Sequence, residues 1–404
     1  MERALRYYRR RGAGGGSVHG HPCQHPAERQ SRQTGCSRSR QRCDTQCGRR
    51  HYSIRCTCQT HIGVMLMTSH ARIVDIEYEL PVDSLDNETL AREFPEWDVD
   101  KIFAKTGIGE RHIIDKNETA SDLAYRACEK LFLKGDIQRD EIDALIYCTQ
   151  SPDYVLPATA CILQHRLQLP TTCAAFDFNQ GCSGFIYGLG IAKGLIESGQ
   201  CKNVLLVTAE TYSRYIHPQD KSVRTLFGDA AAVTLLRATE GGPFLDRFRY
   251  GSDGSGAENL IVPIGGARRP SAENIEPPAY GDDSGNVRTD ANLYMNGPAI
   301  FEFSMKRVPQ LFASLFDDEV GVSDVDLFVF HQANHFMLDA LRRRLKLPAE
   351  KFVSAFQHCG NTVSCTIPIA LKESMDKGVL KPGDRVATVG FGVGYSWGAC
   401  VIRW

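Results

Sequence analysis

The sequence predicts an α/β fold built from two similar halves. Three observations carry that expectation. Apolar runs of strand length alternate with longer helical patterns, the same order of elements recurs late in the chain, and a stretch rich in Gly, Pro, Asp and Asn separates the two series. Of the 404 residues, 42% are hydrophobic and 24% charged, which suits a soluble globular protein of one large or two fused domains.

The elements follow in order. Residues 71–79 (ARIVDIEYE) read as a first strand. Residues 119–134 are helical, with Thr119 or Ser121 as N-cap. Residues 144–149 (ALIYCT) form a short buried strand, and a helix opens near Pro157. A strand at 173–178 (CAAFDF), a helix at 183–198 and a strand at 203–209 (NVLLVTA) come next, and 230–236 closes the half. The second series has a helix at 298–316, a strand at 326–330 (DLFVF), helices at 334–345 and 362–377, and strands at 385–389 and 399–403. This alternation predicts parallel strands covered on both faces. The duplication lies in element order, not in residue identity. The expected division is 67–250, a connection at 251–296, and 297–404. So long a connection is either functional, mobile or a solvated surface loop.

Residues 1–66 stand apart. They hold 13 Arg, no Lys and three acids, whereas the other 338 residues carry 34 basic and 45 acidic groups, a net of −11. Without apolar periodicity the segment cannot bury a core. Its cysteines and histidines match no paired zinc spacing, and it lacks the amphipathic helix of a transit peptide. The expectation is a disordered extension ahead of a true start at Met65 or Met67, dispensable for folding and activity. An acidic body argues against nucleic acid as the main partner. No run of 18 apolar residues occurs, so a membrane span is not expected. Nine cysteines in the body without a secretory signal fit a reducing cytoplasm.

Four segments carry chemistry. Cys182 sits in Phe178-Asn179-Gln180-Gly181-Cys182-Ser183-Gly184-Phe185, where a strand ends and a helix begins. A helix N-terminus favours thiolate, so Cys182 is expected to be alkylated before the other body cysteines. His331 opens His331-Gln332-Ala333-Asn334 at the end of a strand, where open α/β sheets place ligands. Asn361 lies in Gly360-Asn361-Thr362 and, taken alone, reads as an N-cap. The glycine-rich stretch 390–398 reads either as a hairpin turn or as a source of backbone N–H groups for an oxyanion.

In combination these segments resemble the β-ketoacyl-acyl carrier protein synthase III family of the thiolase superfamily. The resemblance runs from about Met67 to Trp404 and includes Lys105-Thr106-Gly107-Ile108, Glu110-Arg111-His112, Phe227-Gly228-Asp229 and the Trp397-Gly398 ending. It implies a thiolase-like, five-layered αβαβα fold of two related halves, assembled as a homodimer. It implies Cys182 as the acyl-accepting nucleophile, and His331 and Asn361 as the pair that donates hydrogen bonds to the enolate during decarboxylation. Their loss is then expected to harm decarboxylation more than acylation. Backbone N–H groups of Cys182 and Gly394 would form the oxyanion hole. Leu156, Phe301 and Asn334 would bind substrate, with Leu156 reaching across the dimer. The primer would arrive on coenzyme A or on acyl carrier protein and the extender as malonyl-acyl carrier protein, docked at Arg343 and Arg344. No metal or redox cofactor is implied.

The sequence departs from the family pattern at Lys101 and Lys221, where an aromatic and an arginine grip adenine, and at Gly109, usually Arg. These departures and the long connection point to a specialised relative. Two alternatives remain: an acyltransferase to an oxygen or nitrogen acceptor without decarboxylation, and a non-catalytic scaffold.

Overall fold

The computed structural model describes residues 69–271 and 278–404. The expectations for residues 1–66 lie outside the described residues. Two sheets organise the chain. The first holds β1 (His70–Glu79), β2 (Ala144–Cys148), β3 (Ala174–Phe178), β4 (Asn203–Glu210) and β5 (Ala230–Thr239) in the order β1-β5-β4-β2-β3. The second holds β6 (Leu245–Ser252), β7 (Leu327–Phe330), β8 (Arg385–Gly392) and β9 (Ser396–Arg403) in the order β7-β8-β9-β6. The helices are α1 (Asn87–Glu93), α2 (Val99–Thr106), α3 (Ala120–Leu133), α4 (Thr159–Arg166), α5 (Gly184–Glu197), α6 (Lys221–Arg224), α7 (Gly297–Ala313), α8 (His335–Leu345) and α9 (Thr366–Asp376).

Three apolar clusters build the stack of layers. Leu123, Ala127 and Leu131 of α3 and Leu163 of α4 pack on one face of the first sheet. Phe185 and Leu189 of α5, with Ile367 and Leu371 of α9, fill the space between the sheets. Leu311 of α7 and Leu338 and Leu341 of α8 cover the far face of the second sheet. The order is αβαβα. Thr119, one of the two expected N-caps, starts α3, and its backbone N–H donates to the Asp122 carboxylate at 2.8 Å.

The sheets are mixed, which corrects the parallel expectation. β2 runs parallel to β3 and β4, and β7 to β8, but β5 is antiparallel to both β1 and β4. β8 and β9 form an antiparallel pair joined by three residues, too few for the crossover a parallel pair needs. β6 was not foreseen. It pairs with β9, so a division drawn at residue 250 cuts through a strand of the second sheet. The helix expected at 362–377 is a 3-10 turn, Val363–Cys365, followed by α9.

The connection at 251–296 is largely folded against the body. Leu260–Ile261 pairs with Tyr294–Met295, and Tyr280–Gly281 with Val287–Arg288. Arg288 is buried between Asp220, 2.8 Å away, and Asp282, 2.7 Å away. A buried guanidinium with two carboxylates pins this hairpin beside α6.

Candidate active site

Cys182, His331 and Asn361 line one cavity of about 80 Å³. They are buried, at 5%, 2% and 5% exposure. Cys182 follows β3 and precedes α5. His331 directly follows β7, and its backbone N–H donates to Val389 of the neighbouring β8 at 2.8 Å. Asn361 is clamped to the first half: its N–H donates to Leu226 at 2.8 Å and its carbonyl accepts from Gly228 at 3.1 Å. The set therefore needs both halves.

The Cys182 turn depends on absent side chains. A Cβ at residue 392 would lie 2.7 Å from the Cys182 sulfur, and one at residue 181 would lie 2.4 Å from Val393. Gly392 thus lets the end of β8 run against the thiol. Gly394 is the expected second oxyanion donor, but its N–H is not among those that act on the Cys182 sulfur. The backbone N–H groups brought to the sulfur are those of Val393 and of Cys182 itself. Gly394 comes one residue later, at φ +128°, where the chain turns into β9.

Burial opposes the thiolate expectation. Burial pushes the Cys182 thiol up to about 12, against the pull of those two N–H groups. Desolvation outweighs the helix terminus, so the resting residue is a thiol and acidity does not single it out for alkylation. Burial holds His331 neutral by lowering its pKa to about 3. Its Nδ1 lies 2.8 Å from the Thr366 hydroxyl.

Asn361 is not the N-cap of α9; that position is Cys365. Its Oδ1 accepts from the Val363 N–H at 3.0 Å, which leaves the amide N–H₂ for other partners. Ser364, in the same turn, donates to Glu210 at 2.8 Å. Glu210 is fully buried, accepts from the Gln150 N–H at 2.9 Å, and has its pKa raised to about 8 by burial.

A wider cleft of about 970 Å³ adjoins the cavity and shares Leu226, Met295, Gly297, Asn334 and Met337 with it. Phe301 lines the cleft. Asn334 lines both spaces, and its Oδ1 caps α8 through the Met337 N–H at 2.9 Å. Lys101, Lys105 and Lys221 stand on the cleft wall, with Asp282 and Asn286 contributed by the connection. Leu156 is not brought to the cavity within this chain; it is 80% exposed beside the exposed Tyr154 and Val155. Arg343 and Arg344 end α8, and Arg343 is paired with Asp339 at 2.8 Å. Val393, Glu210 and Thr366 escaped sequence reasoning. Four glycines in nine residues blur the register around Val393, and the other two carry no local signal.

A five-layered stack with a Cys–His–Asn set where its two sheets meet defines the thiolase-like class. A family model described as 3-oxoacyl-[acyl-carrier-protein (ACP)] synthase III matches residues 176–254, and the model for its C-terminal part matches residues 315–404. Beta-ketoacyl-[acyl-carrier-protein] synthase III 3 of Streptomyces coelicolor is 39% identical over 332 residues, covering 80% of this chain and 94% of the relative. A crystal structure of a 3-oxoacyl-(acyl-carrier-protein) synthase III superposes with a TM-score of 0.81 at 50% identity, covering 83% of this chain and 100% of the other. The 3-oxoacyl-(acyl-carrier protein) synthase of Burkholderia xenovorans LB400 gives a TM-score of 0.74 at 35% identity, with 83% and 94% covered. The chain belongs to the 3-oxoacyl-[acyl-carrier-protein] synthase III family, and a condensing transferase of that general kind follows from the membership.

Proposed function

We propose that the protein joins an acyl thioester primer to a malonyl thioester by decarboxylative Claisen condensation, through an acyl-Cys182 intermediate, giving a 3-oxoacyl thioester. The observation that carries this is the convergence of Cys182, His331 and Asn361 on one small cavity that shares its wall with a wide cleft. The primer thioester reaches Cys182 through the cleft and transfers its acyl group, which splits one difficult step into two. The tetrahedral oxyanion of this step is held by the N–H groups of Val393 and Cys182. Loss of carbon dioxide from the malonyl thioester then builds charge on its thioester oxygen. The free amide N–H₂ of Asn361 is a donor suited to that oxygen, and the enolate carbon attacks acyl-Cys182.

The malonyl group is proposed to arrive on acyl carrier protein. Arg344, with Arg343 partly neutralised by Asp339, offers it a basic docking point at the end of α8. The three lysines of the cleft wall suit the phosphate of a pantetheine arm, whether the primer comes on coenzyme A or on the carrier. A homodimer is proposed from β3, an edge strand with unpaired backbone groups, and from the exposed Tyr154, Val155 and Leu156.

Intact-mass spectrometry with a panel of acyl thioesters is the test. One acyl group on Cys182, then carbon dioxide release and a 3-oxoacyl product with malonyl-acyl carrier protein, is the expected result. Acyl transfer to an oxygen or nitrogen acceptor without carbon dioxide would replace the reading with the non-decarboxylating one. Sedimentation as a monomer at micromolar concentration would remove the dimer.

A further inference from the structure

Gln150, two residues past the end of β2, and Tyr212, two past the end of β4, meet beside the Cys182 turn. The Tyr212 hydroxyl donates to Gln150 Oε1. That oxygen would lie 2.5 Å from a Cβ at residue 181, so it packs directly on the glycine before the nucleophile. Gln150 Nε2 donates to Asn179 Oδ1 at 2.9 Å. The Gln150 side chain thus forms a strap from Asn179, which is exposed just past β3, to Tyr212, which is buried. The Tyr212 ring packs on Phe227 with centroids 5.2 Å apart, and Phe227 lines the cavity together with Cys182.

An acyl group on the Cys182 sulfur needs room. The cavity of about 80 Å³ is about half of the roughly 150 Å³ that takes one benzene ring, and the malonyl group has to reach His331 and Asn361 in the same space. A longer chain must therefore press past Gln150 and Tyr212 towards the open edge by Asn179. We propose that Gln150 and Tyr212 are specificity-determining residues whose side-chain pair closes the acyl site beside the Cys182 turn, so that short primers such as acetyl and butyryl are accepted and medium-length chains are refused. The proposal rests on the condensation reading and deepens it by naming what sets the length of the primer.

The closure is polar, and that makes it stricter than an apolar wall. A hydrophobic lining yields to one more methylene by small shifts and separates neighbours in a homologous series by about 10–200-fold. Here the chain would also part an amide from a hydroxyl and leave both against methylenes, which replace neither hydrogen bond. Gln150 has little freedom to swing aside. Its backbone N–H donates to Glu210 at 2.9 Å, its carbonyl accepts from the Tyr215 hydroxyl at 3.1 Å, and Asn179 holds its amide nitrogen. Tyr212 is held by Phe227 on its face and by Tyr215, whose ring stands edge-on at 6.2 Å.

The test is the rate of Cys182 acylation in the full chain, followed by intact mass, with acetyl, butyryl, hexanoyl and octanoyl thioesters of N-acetylcysteamine. The wild type should favour acetyl over octanoyl by about 10²-fold or more. Gln150→Ser, which cuts the strap, should raise the octanoyl-to-acetyl rate ratio by about 10-fold or more, and Tyr212→Phe, which removes only the hydroxyl, should raise it less. The ratio is read within each protein, so a partial loss of folded material cancels. Equal octanoyl and acetyl rates in the wild type overturn the proposal and leave the condensation reading standing, as does a ratio unchanged in both variants. Should Gln150→Ser fail to fold, the wild-type series and Tyr212→Phe decide. Short acyl adducts that give neither carbon dioxide nor a 3-oxoacyl product with malonyl-acyl carrier protein would overturn the condensation reading and leave the roles of Gln150 and Tyr212 standing. No adduct from any thioester overturns both.

Discussion

The turn that carries Cys182 and the turn that carries Asn361 reach one cavity by opposite means. Around Cys182 the chain is stripped of side chains. Added Cβ atoms at 181, 390 and 392 would meet neighbours at 2.4, 2.8 and 2.7 Å. Around Asn361 the chain is crowded with polar groups: Asn361 on Val363, Ser364 on Glu210, Thr366 on His331. The first turn sets how close backbone donors come to the sulfur. The second sets which way hydrogens point. Position is therefore controlled by exclusion on one side of the cavity and by hydrogen-bond direction on the other.

The largest expected effect tests the first turn. Cys182→Ala should abolish the acyl adduct, read by intact mass; an adduct on another cysteine would break the assignment. Gly392→Ala should follow. Its methyl group would have to displace the sulfur or the strand, and acylation should fall by about 10²–10³, the range for loss of an oxyanion donor. Acylation at the wild-type rate would mean that close packing at residue 392 has no role.

Asn361 in the second turn and His331, which lines the same cavity, should fail in the same half-reaction. Asn361→Ala should lower malonyl decarboxylation by about 10²–10³ and spare acylation of Cys182, because the amide acts on a charge that appears only later. His331→Ala should likewise lower malonyl decarboxylation far more than acylation. Single-turnover measurements of each half-reaction decide this, and equal loss of acylation and decarboxylation in either variant would break the division.

Glu210 offers a subtler comparison through pH. Its folded-state pKa is raised from 4.5 to about 8. The native state then holds a proton that the unfolded chain releases above about 4.5, so this contribution is full below that pH and is lost as pH rises through about 8. Glu210→Gln should flatten the fall in Tm across that window, measured by thermal unfolding at several pH values. An unchanged slope would show that another group titrates there.

The smallest effect lies outside both turns. Arg344→Glu should raise the KM for carrier-bound malonyl groups at low salt and leave acylation by a small thioester unchanged. Arg343→Glu should do less, since Asp339 already holds that guanidinium. Equal effects would mean that the Asp339 pair opens on docking.

Much of the molecule was legible because its signals are local. The run 203–209 is a strand whose apolar residues are buried on both faces, and Thr119 with Asp122 closes a helix start three residues apart. The Cys182 turn was legible for the same reason, since a strand end, two glycines and a helix start are contiguous. β6 was missed because Leu245–Ser252 (LDRFRYGS) is half exposed and charged, with β9 on one side only. The long connection looked loose from its glycines and prolines, yet one buried arginine, Arg288, ties it down through Asp220, 68 positions earlier.

By itself the sequence determined the order of elements, a cysteine in its glycine frame, and the presence of a histidine and an asparagine at a strand end and a turn. Hydrophobic period and backbone permissiveness act over a few residues, so a linear reading reaches them. Only the tertiary structure decided that the sheets are mixed, that Val393 rather than Gly394 offers its N–H to the sulfur, and that burial pushes the Cys182 thiol up. It also placed Glu210 beneath Ser364 and Thr366 beside His331. Desolvation and hydrogen-bond direction depend on groups far apart in the chain, and those meet only when the two halves close on the cavity.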